Sequence, residues 1–555
     1  MKRFAHLLDR LVLTPSRNGK LRLMVDYFLS TPDPERGYAL AAITQDLNLA
    51  SVKPAALRGL VVERMDEELF RLSYDYVGDL AETIALVWDA DRRTSARGSR
   101  SHTEAGFVND EIANPEPSLT DVVETLNRMG KSEALLQVSR WLDVLDASGR
   151  YALVKLITGG LRIGVSARLA KVALAEFGAR HIDIDIIEIE ELWHGLEIPY
   201  TDLFAWLSGT AVKPTHRANA PFRPVMLANP LSDTDRAKLD PRAYSAEWKW
   251  DGIRVQASSQ NGTRRLYSRT GDDIGQAFPD LLDAMAFEGA LDGELLVGRP
   301  ASDGALQIGS FSDLQQRLNR KTVSKKLLAS HPVIMRCYDL LVDGENNIRD
   351  LPFQERRRRL EAFVPALDTA RFDVSPLIDF STWDVLASAR ANVPHPVVEG
   401  VMIKRWDSPY VPGRPKGPWF KWKKDPMIID AVLMYAQRGH GKRSSYYSDY
   451  TFGAWTAEGN LVPVGKAYFG FTDEELKKLD RYVRDNTVDR FGPVRSVRAE
   501  PDHGLVLEIA FEGIQRSPRH KSGVAMRFPR ISRLRWDKPP HEADPLVNLV
   551  ALINE

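Results

Sequence analysis

The sequence predicts a multidomain α+β protein: an all-α N-terminal region, a mixed α/β domain with antiparallel sheets, and a small C-terminal β-barrel. Three patterns of apolar residues and the length of the chain carry this prediction. Apolar residues recur at three- and four-residue steps up to about residue 208, alternate with period two from about residue 240, and form short strand patterns beyond residue 425. A chain of 555 residues is also long enough for about three or four domains.

The helical region is clearest at SLTDVVETLNRM, where Ser118 and Asp121 form a capping-box start. Helical patterns continue in ALLQVSRWLDVL and SARLAKVALAEF. The proline-rich segment KPTHRANAPFRPVMLANP then interrupts regular structure, and we interpret it as a linker or domain entry. We therefore predict domains at residues 1–208, 209–425 and 426–555.

Strand patterns dominate the remainder of the chain. AYSAEWKWDGIRVQASS and TRRLYSRTG flank Asn261 and Gly262, a pair typical of hairpin turns. Beyond residue 425, short strands are predicted at AVLMYAQ, YTFGAWT, LVPVGKAYFGF, VRSVRAE and HGLVLEIAFEGI, with one helix at DEELKKLDRYVRD. The run ERRRRLEAF at residues 355–363 predicts an amphipathic helix with its arginines in water.

Composition excludes several classes of protein. Lys and Arg total 75, as do Asp and Glu, so any nucleic-acid surface must be local. The single cysteine, Cys337, excludes an internal disulfide framework and a multi-Cys zinc site, and it fits a reducing compartment. No apolar run reaches membrane-spanning length, so we expect a soluble cytoplasmic protein without a membrane partner.

The stretch EWKWDGIR places a lysine between two tryptophans. On a strand, Glu247, Lys249 and Asp251 share one face while Trp248 and Trp250 point to the other. In a site that also presents arginine and binds metal, the neutral amine of such a lysine is a nucleophile. A surface strand of ion pairs has the same pattern, so this motif alone does not decide between the two interpretations.

Further charged patches follow in order. LDGELL places Asp292 and Glu294 on one face of an apolar strand, the oxygen-rich arrangement that Mg²⁺ prefers, and Glu399 in VVEGVMIK adds a second acidic strand. In WFKWKKD, Lys421 and Lys423 share a face that suits either a polyphosphate or a solvated strand edge.

One lysine is left out of this predicted site. Lys404 lies five residues after Glu399, so an unbroken strand would place the two side chains on opposite faces.

Taken together, these motifs resemble those of the ATP-dependent DNA ligases within the lysine nucleotidyltransferase superfamily. The matching segments are EWKWDGIR, SRTG at 268–271, LDGELL, YDLLVDG, EGVMIK, WFKWKKD and MRFPRISRLRWDK. The resemblance implies an adenylation (nucleotidyltransferase) domain in the centre and a C-terminal OB-fold. TGGLRIGVSARLAKVALA is similar to the N-terminal DNA-binding domain of larger ligases, which capping enzymes and small RNA ligases are not expected to carry.

The resemblance also implies a role for each matching residue. Lys249 attacks the α-phosphorus of ATP, releases pyrophosphate and carries AMP. The other implied roles are adenine contact by Glu247, stacking by Tyr338, contacts of Arg254 and Arg269 with ribose and phosphates, Mg²⁺ binding by Glu294 and Glu399 beside the nucleotide, and neutralisation of the α-phosphate by Lys421 and Lys423. Either Arg414 or Lys416 matches a basic nucleotide-binding position before WFKWKKD, and we choose Arg414. Arg162, Arg527 and Arg530 are implied to contact DNA or pyrophosphate, with the last two at near-helical or loop spacing.

The implied function is an ATP- and Mg²⁺-dependent DNA ligase, expected to be a monomer, that seals nicks in duplex DNA during repair, recombination or replication. The alternatives are an RNA ligase, a GTP-dependent guanylyltransferase of the capping type, and a non-catalytic nick-binding scaffold. The segment QRGHGKRSSYYSDYTFG, which mixes cations with Tyr446, Tyr447 and Tyr450, suits either a loop that binds a nucleic-acid backbone or barrel core.

Overall fold

The computed structural model describes residues 1–47, 49, 52–88, 116–214, 219–300, 306–318, 320, 322–438, 447–468, 472–518 and 520–553. The chain divides into two compact units. One comprises Met1–Phe177, Ile198–Phe204 and Pro426–Glu555, and the other comprises Gly178–Glu197 and Ala205–Asp425. Within the described ranges, none of the helices combines the length and the apolar character needed to cross a membrane.

The described residues up to 208 form helices and no strand. These helices are α1 Lys2–Leu13, α2 Arg17–Ser30, α3 Glu35–Thr44, α4 Pro54–Val62, α5 Glu67–Val77, α6 Leu80–Val87, α7 Leu119–Arg128, α8 Lys131–Val144, α9 Ala147–Thr158, α10 Ala167–Gly178, α11 Ile186–Leu192 and α12 Thr201–Leu207. The predicted capping box is confirmed at the start of α7, where Ser118 and Asp121 exchange side-chain and backbone hydrogen bonds.

The unit that contains residues 205–425 is built on two sheets. Its strands are β1 Asn229–Pro230, β2 Tyr244–Trp250, β3 Ile253–Gln260, β4 Thr263–Ser268, β5 Gly289–Pro300, β6 Leu306–Ile308, β7 Val333–Asp343, β8 Asn346–Asn347, β9 Phe372–Val374, β10 Leu377–Ile378, β11 Val398–Arg405 and β12 Trp419–Lys423. Its further helices are α13 Asp233–Arg236, α14 Pro279–Ala284, α15 Phe311–Gln315, α16 Lys325–Ser330, α17 Phe353–Phe363 and α18 Trp383–Ala391.

One sheet has the order β1-β12-β11-β2-β10, and the other has the order β4-β3-β5-β7-β8, with β6 beside β5 and β9 beside β7. Most pairs are antiparallel, whereas β1 lies parallel to β12 and β9 parallel to β7. Asn261 and Gly262 form the predicted turn between β3 and β4, both with positive φ. The predicted mixture of helices with largely antiparallel sheets is therefore confirmed.

Helix α17 corrects one prediction. The run ERRRRLEAF is helical, but Arg356 and Arg357 are buried instead of lying in water. Arg356 donates two hydrogen bonds to the equally buried Asp339, at 2.8 and 3.0 Å. Helical periodicity could not predict this, because the carboxylate that pairs with Arg356 comes from another element, β7.

The strands beyond residue 425 are β13 Met427–Arg438, β14 Tyr447–Trp455, β15 Leu461–Ala467, β16 Thr487–Phe491, β17 Val494–Val497, β18 Val506–Phe511, β19 Gly513–Arg516, β20 Val524–Arg527 and β21 Arg530–Arg535. The helices here are α19 Asp473–Asp485 and α20 Leu546–Ala551. The predicted strands and α19 are present, while β16, β19, β20 and β21 were not predicted. Among the described residues, no pairing joins β15 to β21 to close the sheet into a barrel.

The structure corrects one prediction about this region and decides one alternative that the sequence left open. Arg527 and Arg530 lie on strands β20 and β21, not in a helix or a loop. Tyr447 and Tyr450 are 3% and 0% exposed and belong to the hydrophobic core, so they do not offer a surface to a nucleic-acid backbone. Tyr446 and the rest of residues 439–446 lie outside the described residues.

Candidate active site

Strand β2 confirms the predicted alternation around Lys249. Trp248 and Trp250 pack into apolar clusters on one face, with Trp250 against Val398 and neighbouring residues. Glu247 and Lys249 point to the other face. Because β2 ends at Trp250, Asp251 lies beyond the strand, where its backbone N–H donates to the Val397 carbonyl at 2.9 Å.

Lys249 belongs to a cluster of lysines around one carboxylate. Its Nζ lies 3.1 Å from Glu399 Oε1, and Lys423 Nζ lies 2.8 Å from Glu399 Oε2. Burial alone would raise the pKa of Glu399, but the charges of Lys249 and Lys423 outweigh it and lower that pKa. Lys421 lies on the same face of β12 as Lys423, as predicted, since they pair in register with Met402 and Gly400. Burial and the charges of Arg414, Lys249 and Lys423 lower the pKa of Lys421.

Lys404 occupies a place that the sequence did not predict. Strand β11 is not unbroken: its pairing with β2 shifts register between Val398 and Val401, at a bulge that includes Gly400. A Cβ at Gly400 would lie 2.3 Å from the Trp422 carbonyl oxygen, and its φ of 145° also favours glycine. The extra residue reverses the alternation, so Glu399 and Lys404 point to the same face.

Glu247 and Lys404 form a buried ion pair. Each side chain is 2% exposed, and Lys404 Nζ lies 2.8 Å from Glu247 Oε1. The same ammonium donates to the Tyr338 carbonyl at 3.2 Å and lies 4.6 Å from the centre of the Tyr338 ring. Arg357 Nη1 lies 4.0 Å from the other oxygen of Glu247. Two cations therefore hold this carboxylate in place beside an aromatic ring.

Asp292 is a correction to the predicted pair of acidic ligands. It is 0% exposed and accepts from Arg254 Nε and Nη2 at 3.1 and 2.7 Å and from the Tyr410 hydroxyl at 2.6 Å. These donors occupy both carboxylate oxygens. Arg254 Nη1 also donates to the Met226 carbonyl at 2.7 Å. Asp292 therefore positions Arg254, since strands β3 and β5 pair in a register that the sequence did not reveal.

Glu294 differs from Asp292 in its surroundings. Its Oε1 accepts from the Gly252 N–H at 3.2 Å. Burial raises its pKa to about 7, although the charges of Lys249 and Arg254 oppose the shift; the nearby charge of Glu399 adds to it. The charge of Glu399 thus acts on Glu294, so the two carboxyl groups lie close enough to offer oxygens to one cation. No group of three or more His, Cys, Asp or Glu side chains with metal-binding geometry occurs among the described residues.

The other predicted residues are more exposed. Arg269 follows strand β4 in an exposed turn, and both Arg414 and Lys416 are exposed between β11 and β12. Arg414 acts electrostatically on Lys421, which places it near the lysine cluster. In the other unit, Arg162 is exposed in the turn between α9 and α10, while Arg527 and Arg530 are half-buried.

Sequence reasoning missed Lys404, Arg357, Tyr410 and Arg356. One signal was available for Lys404, because a lysine that ends the apolar run VVEGVMIK needs a buried partner. The others depend on strand register and on packing of α17, which no local pattern displays.

Comparisons with known proteins decide the family. Residues 225–423 match the model of the ATP dependent DNA ligase domain, and residues 443–538 match that of the ATP dependent DNA ligase C terminal region. The chain is 35% identical over 425 residues to a probable DNA ligase of Koribacter versatilis. This alignment covers 71% of this chain and 70% of the relative. It is 30% identical over 571 residues to DNA ligase 1 of Korarchaeum cryptofilum. That alignment covers 98% of this chain and 97% of the relative.

The chain belongs to the ATP-dependent DNA ligases. It is an enzyme that forms phosphodiester bonds, and the alternatives of an RNA ligase, a guanylyltransferase and a non-catalytic scaffold are not favoured. A solved structure named Pmar-Lig_PreS3 superposes with a TM-score of 0.56, and the match covers 96% of this chain and 99% of that one. Because the two sequences are 14% identical, this likeness concerns the fold alone.

Proposed function

We propose that the ligase seals nicks in duplex DNA through an AMP adduct on Lys249. The observation that carries this proposal is the position of the Lys249 amine, 3.1 Å from Glu399 and within a cluster that includes Lys421 and Lys423. The amine thus lies where several cations can receive a polyphosphate. The buried carboxylate of Glu247 on β2 and the ring of Tyr338 on β7, in the other sheet, lie beside the same Lys404 ammonium and can receive a base.

In the first step, the neutral Lys249 amine attacks the α-phosphorus of ATP. A nitrogen–phosphorus bond forms, the bond to the pyrophosphate oxygen breaks, and the proton lost by the amine passes to solvent water. Lys421, Lys423 and Arg414 stabilise the negative charge on the phosphates and on the leaving pyrophosphate. In the second step the 5′-phosphate of the nick displaces Lys249 from AMP. In the third, the 3′-hydroxyl attacks that phosphate and expels AMP.

The base is proposed to lie at Glu247 and Tyr338. The exocyclic amine of adenine is a hydrogen-bond donor that suits an anionic carboxylate, whereas guanine presents a carbonyl oxygen at the equivalent position. Lys404 and Arg357 hold Glu247 in place. The carboxylate therefore cannot move away from the carbonyl oxygen of guanine, and the repulsion between the two oxygens disfavours GTP. The Tyr338 ring supplies a stacking surface, and Arg254 reaches the nucleotide from beside that ring.

Mg²⁺ is proposed to bind between Glu294 and Glu399. The fit rests on the chemistry of the donor set, since Glu294 on β5 and Glu399 on β11 supply carboxylate oxygens, and a cation would offset the burial that raises the pKa of Glu294 to about 7. Two carboxylates with phosphate oxygens and water form a coordination set that Mg²⁺ commonly takes. The bound ion supplies positive charge beside the reacting phosphate.

The domain roles are also proposals. We propose that residues 1–208 bind DNA, that residues 209–425 form the adenylation domain, and that residues 426–555 form an OB-fold whose Arg527 and Arg530 contact pyrophosphate or DNA. Arg162 is proposed to contact DNA phosphates, and Arg269 is proposed to contact the ribose and phosphates of the nucleotide or the nick; exposed guanidinium groups suit both contacts. We further propose a monomer in a reducing compartment, consistent with the free Cys337.

The test is labelling with α-³²P-ATP or α-³²P-GTP in the absence of DNA. We expect ATP, and not GTP, to label the protein. The Lys249→Ala variant should show no adduct. Lys238→Ala, which removes an exposed lysine of the same unit, should be labelled like the parent. The labelled protein should then transfer AMP to nicked DNA in preference to nicked RNA. Labelling by GTP alone, or an adduct on the Lys249→Ala variant, would contradict the proposal.

A further inference from the structure

The turn between α9 and α10 has an unusual backbone. Gly159, Gly160, Arg162 and Gly164 have positive φ of 72°, 67°, 51° and 64°. Gly159 ends α9, as a glycine helix cap should, but Arg162 adopts a left-handed conformation that costs energy for a residue with a side chain. Such a conformation persists only where the surrounding contacts hold it.

Two kinds of contact hold this turn. Leu161 and Ile163, on either side of Arg162, are 6% and 3% exposed and anchor the turn in the core. In addition, Lys20 donates from its Nζ to the Ile163 carbonyl at 2.7 Å and to the Gly164 carbonyl at 3.1 Å. Arg162 itself is exposed between the two anchors.

Lys20 is an unexpected residue at its position. It is 9% exposed and lies in the first turn of α2, where the helix dipole disfavours a cation. A buried ammonium is costly unless hydrogen bonds compensate it, and two of its acceptors are carbonyls of this turn, more than 140 residues away in the sequence. The turn and the lysine therefore depend on each other.

We propose that Lys20 is a positioning residue for DNA binding: it fixes the turn 159–164 so that Arg162 faces the DNA backbone in one conformation. The proposal rests on the proposed function, in which Arg162 contacts DNA phosphates. Lys20 itself does not touch DNA, since its ammonium is directed at the turn. Because Lys20 orders the turn before DNA binds, the conformational entropy that the turn loses on binding is smaller.

The test measures the affinity of the full-length ligase for a nicked duplex that lacks a 3′-hydroxyl and so cannot be sealed. We expect Lys20→Met to weaken binding by about tenfold, the scale of lost hydrogen bonds to a charged group. Lysine adenylylation by ATP without DNA should proceed at the parental rate. Arg22→Met removes an exposed cation from the same helix and should bind the nick like the parent.

Two further variants test whether Lys20 acts through the turn. Gly164→Ala should also weaken binding, because a side chain at φ 64° strains the turn and its Cβ would lie 2.4 Å from Lys20 Nζ. If Lys20 acts through Arg162, the double variant Lys20→Met/Arg162→Ala should bind no more weakly than Arg162→Ala. Amide hydrogen exchange within residues 159–164 should be faster in Lys20→Met.

Two outcomes would overturn the inference, and they are distinguishable. If Arg162→Ala weakens nick binding while Lys20→Met binds within twofold of the parent, the positioning role is wrong and the DNA contact stands. If Arg162→Ala has no effect, the proposed DNA contact of this turn fails, and the role of Lys20 fails with it. Neither result bears on the adduct at Lys249.

Discussion

The two ends of the candidate site differ in how their charges are paired. At one end, defined by Glu247, Lys404 and Tyr338, the two charged side chains are each 2% exposed and are held by fixed partners. At the other, defined by Lys249, Glu399, Lys421 and Lys423, cations outnumber the carboxylate. There Lys249 is 22% and Lys423 36% exposed.

This difference in charge pairing matches the two parts of a nucleotide, the base and the polyphosphate. A neutral base is distinguished by fixed hydrogen-bonding groups, so the Lys404 end is rigid before the ligand arrives. A polyphosphate brings its own negative charge, so the Lys249 end carries an excess of cations that the ligand neutralises. We therefore expect substitutions at the Lys404 end to lower stability and substitutions at the Lys249 end to lower activity.

The largest effect is expected from Lys404→Met. Removing the ammonium leaves Glu247 buried beside Arg357 alone, and breaking a buried ion pair costs roughly 3–5 kcal/mol of unfolding free energy. Urea denaturation measures this loss. Adding Glu247→Leu should recover part of it, because the unpaired carboxylate is then removed as well. A loss below about 1 kcal/mol would show that the Lys404 end does not depend on this pair.

The converse effect is expected from Lys423→Met. We expect the rate of lysine adenylylation to fall by about 100-fold, as when one donor to a developing negative charge is removed. Its unfolding free energy should change by less than about 1 kcal/mol, since the side chain is 36% exposed. Single-turnover labelling and urea denaturation of the same preparation measure both. A large loss of stability with an unchanged rate would reverse the comparison between the two ends.

A smaller effect is expected from Glu294→Gln, which keeps an acceptor for the Gly252 N–H but removes the charge. We expect half-maximal adenylylation to require at least about tenfold more Mg²⁺. Glu345→Gln removes an exposed carboxylate of the same unit and should leave the titration unchanged. Coincident titrations for the parent and Glu294→Gln would exclude Glu294 as a ligand.

The smallest effect separates Arg414 from Lys416. Because the charge of Arg414 acts on Lys421, Arg414→Ala should slow adenylylation by about threefold to tenfold, the scale of an exposed and screened charge. Lys416→Ala should have less effect. The same single-turnover assay compares the two variants, and a greater loss for Lys416→Ala would assign the basic position to the other residue.

Local pattern predicted one face of the site well. Strand alternation separated Glu247 and Lys249 from the two tryptophans, and it placed Lys421 with Lys423. These predictions succeeded because the relevant parts of β2 and β12 are regular, so position along the chain determines the face.

The misplaced residues depend on features that alternation cannot reveal. The bulge at Gly400 brings Lys404 to the site, and the register of β3 with β5 places Asp292 against Arg254 instead of a metal. Arg356 and Arg357 are buried because carboxylates on β7 and β2 face α17. Each of these contacts joins two elements that are separate in sequence.

The most direct test is to locate the AMP adduct by mass spectrometry. The ligase is incubated with ATP and Mg²⁺ in the absence of DNA, digested under conditions that preserve the nitrogen–phosphorus bond, and its peptides are sequenced. We predict the mass of AMP on Lys249, at the end with excess cations, and an unmodified Lys404. An adduct on Lys404, Lys421 or Lys423, with Lys249 unmodified, would contradict the assignment of the two ends.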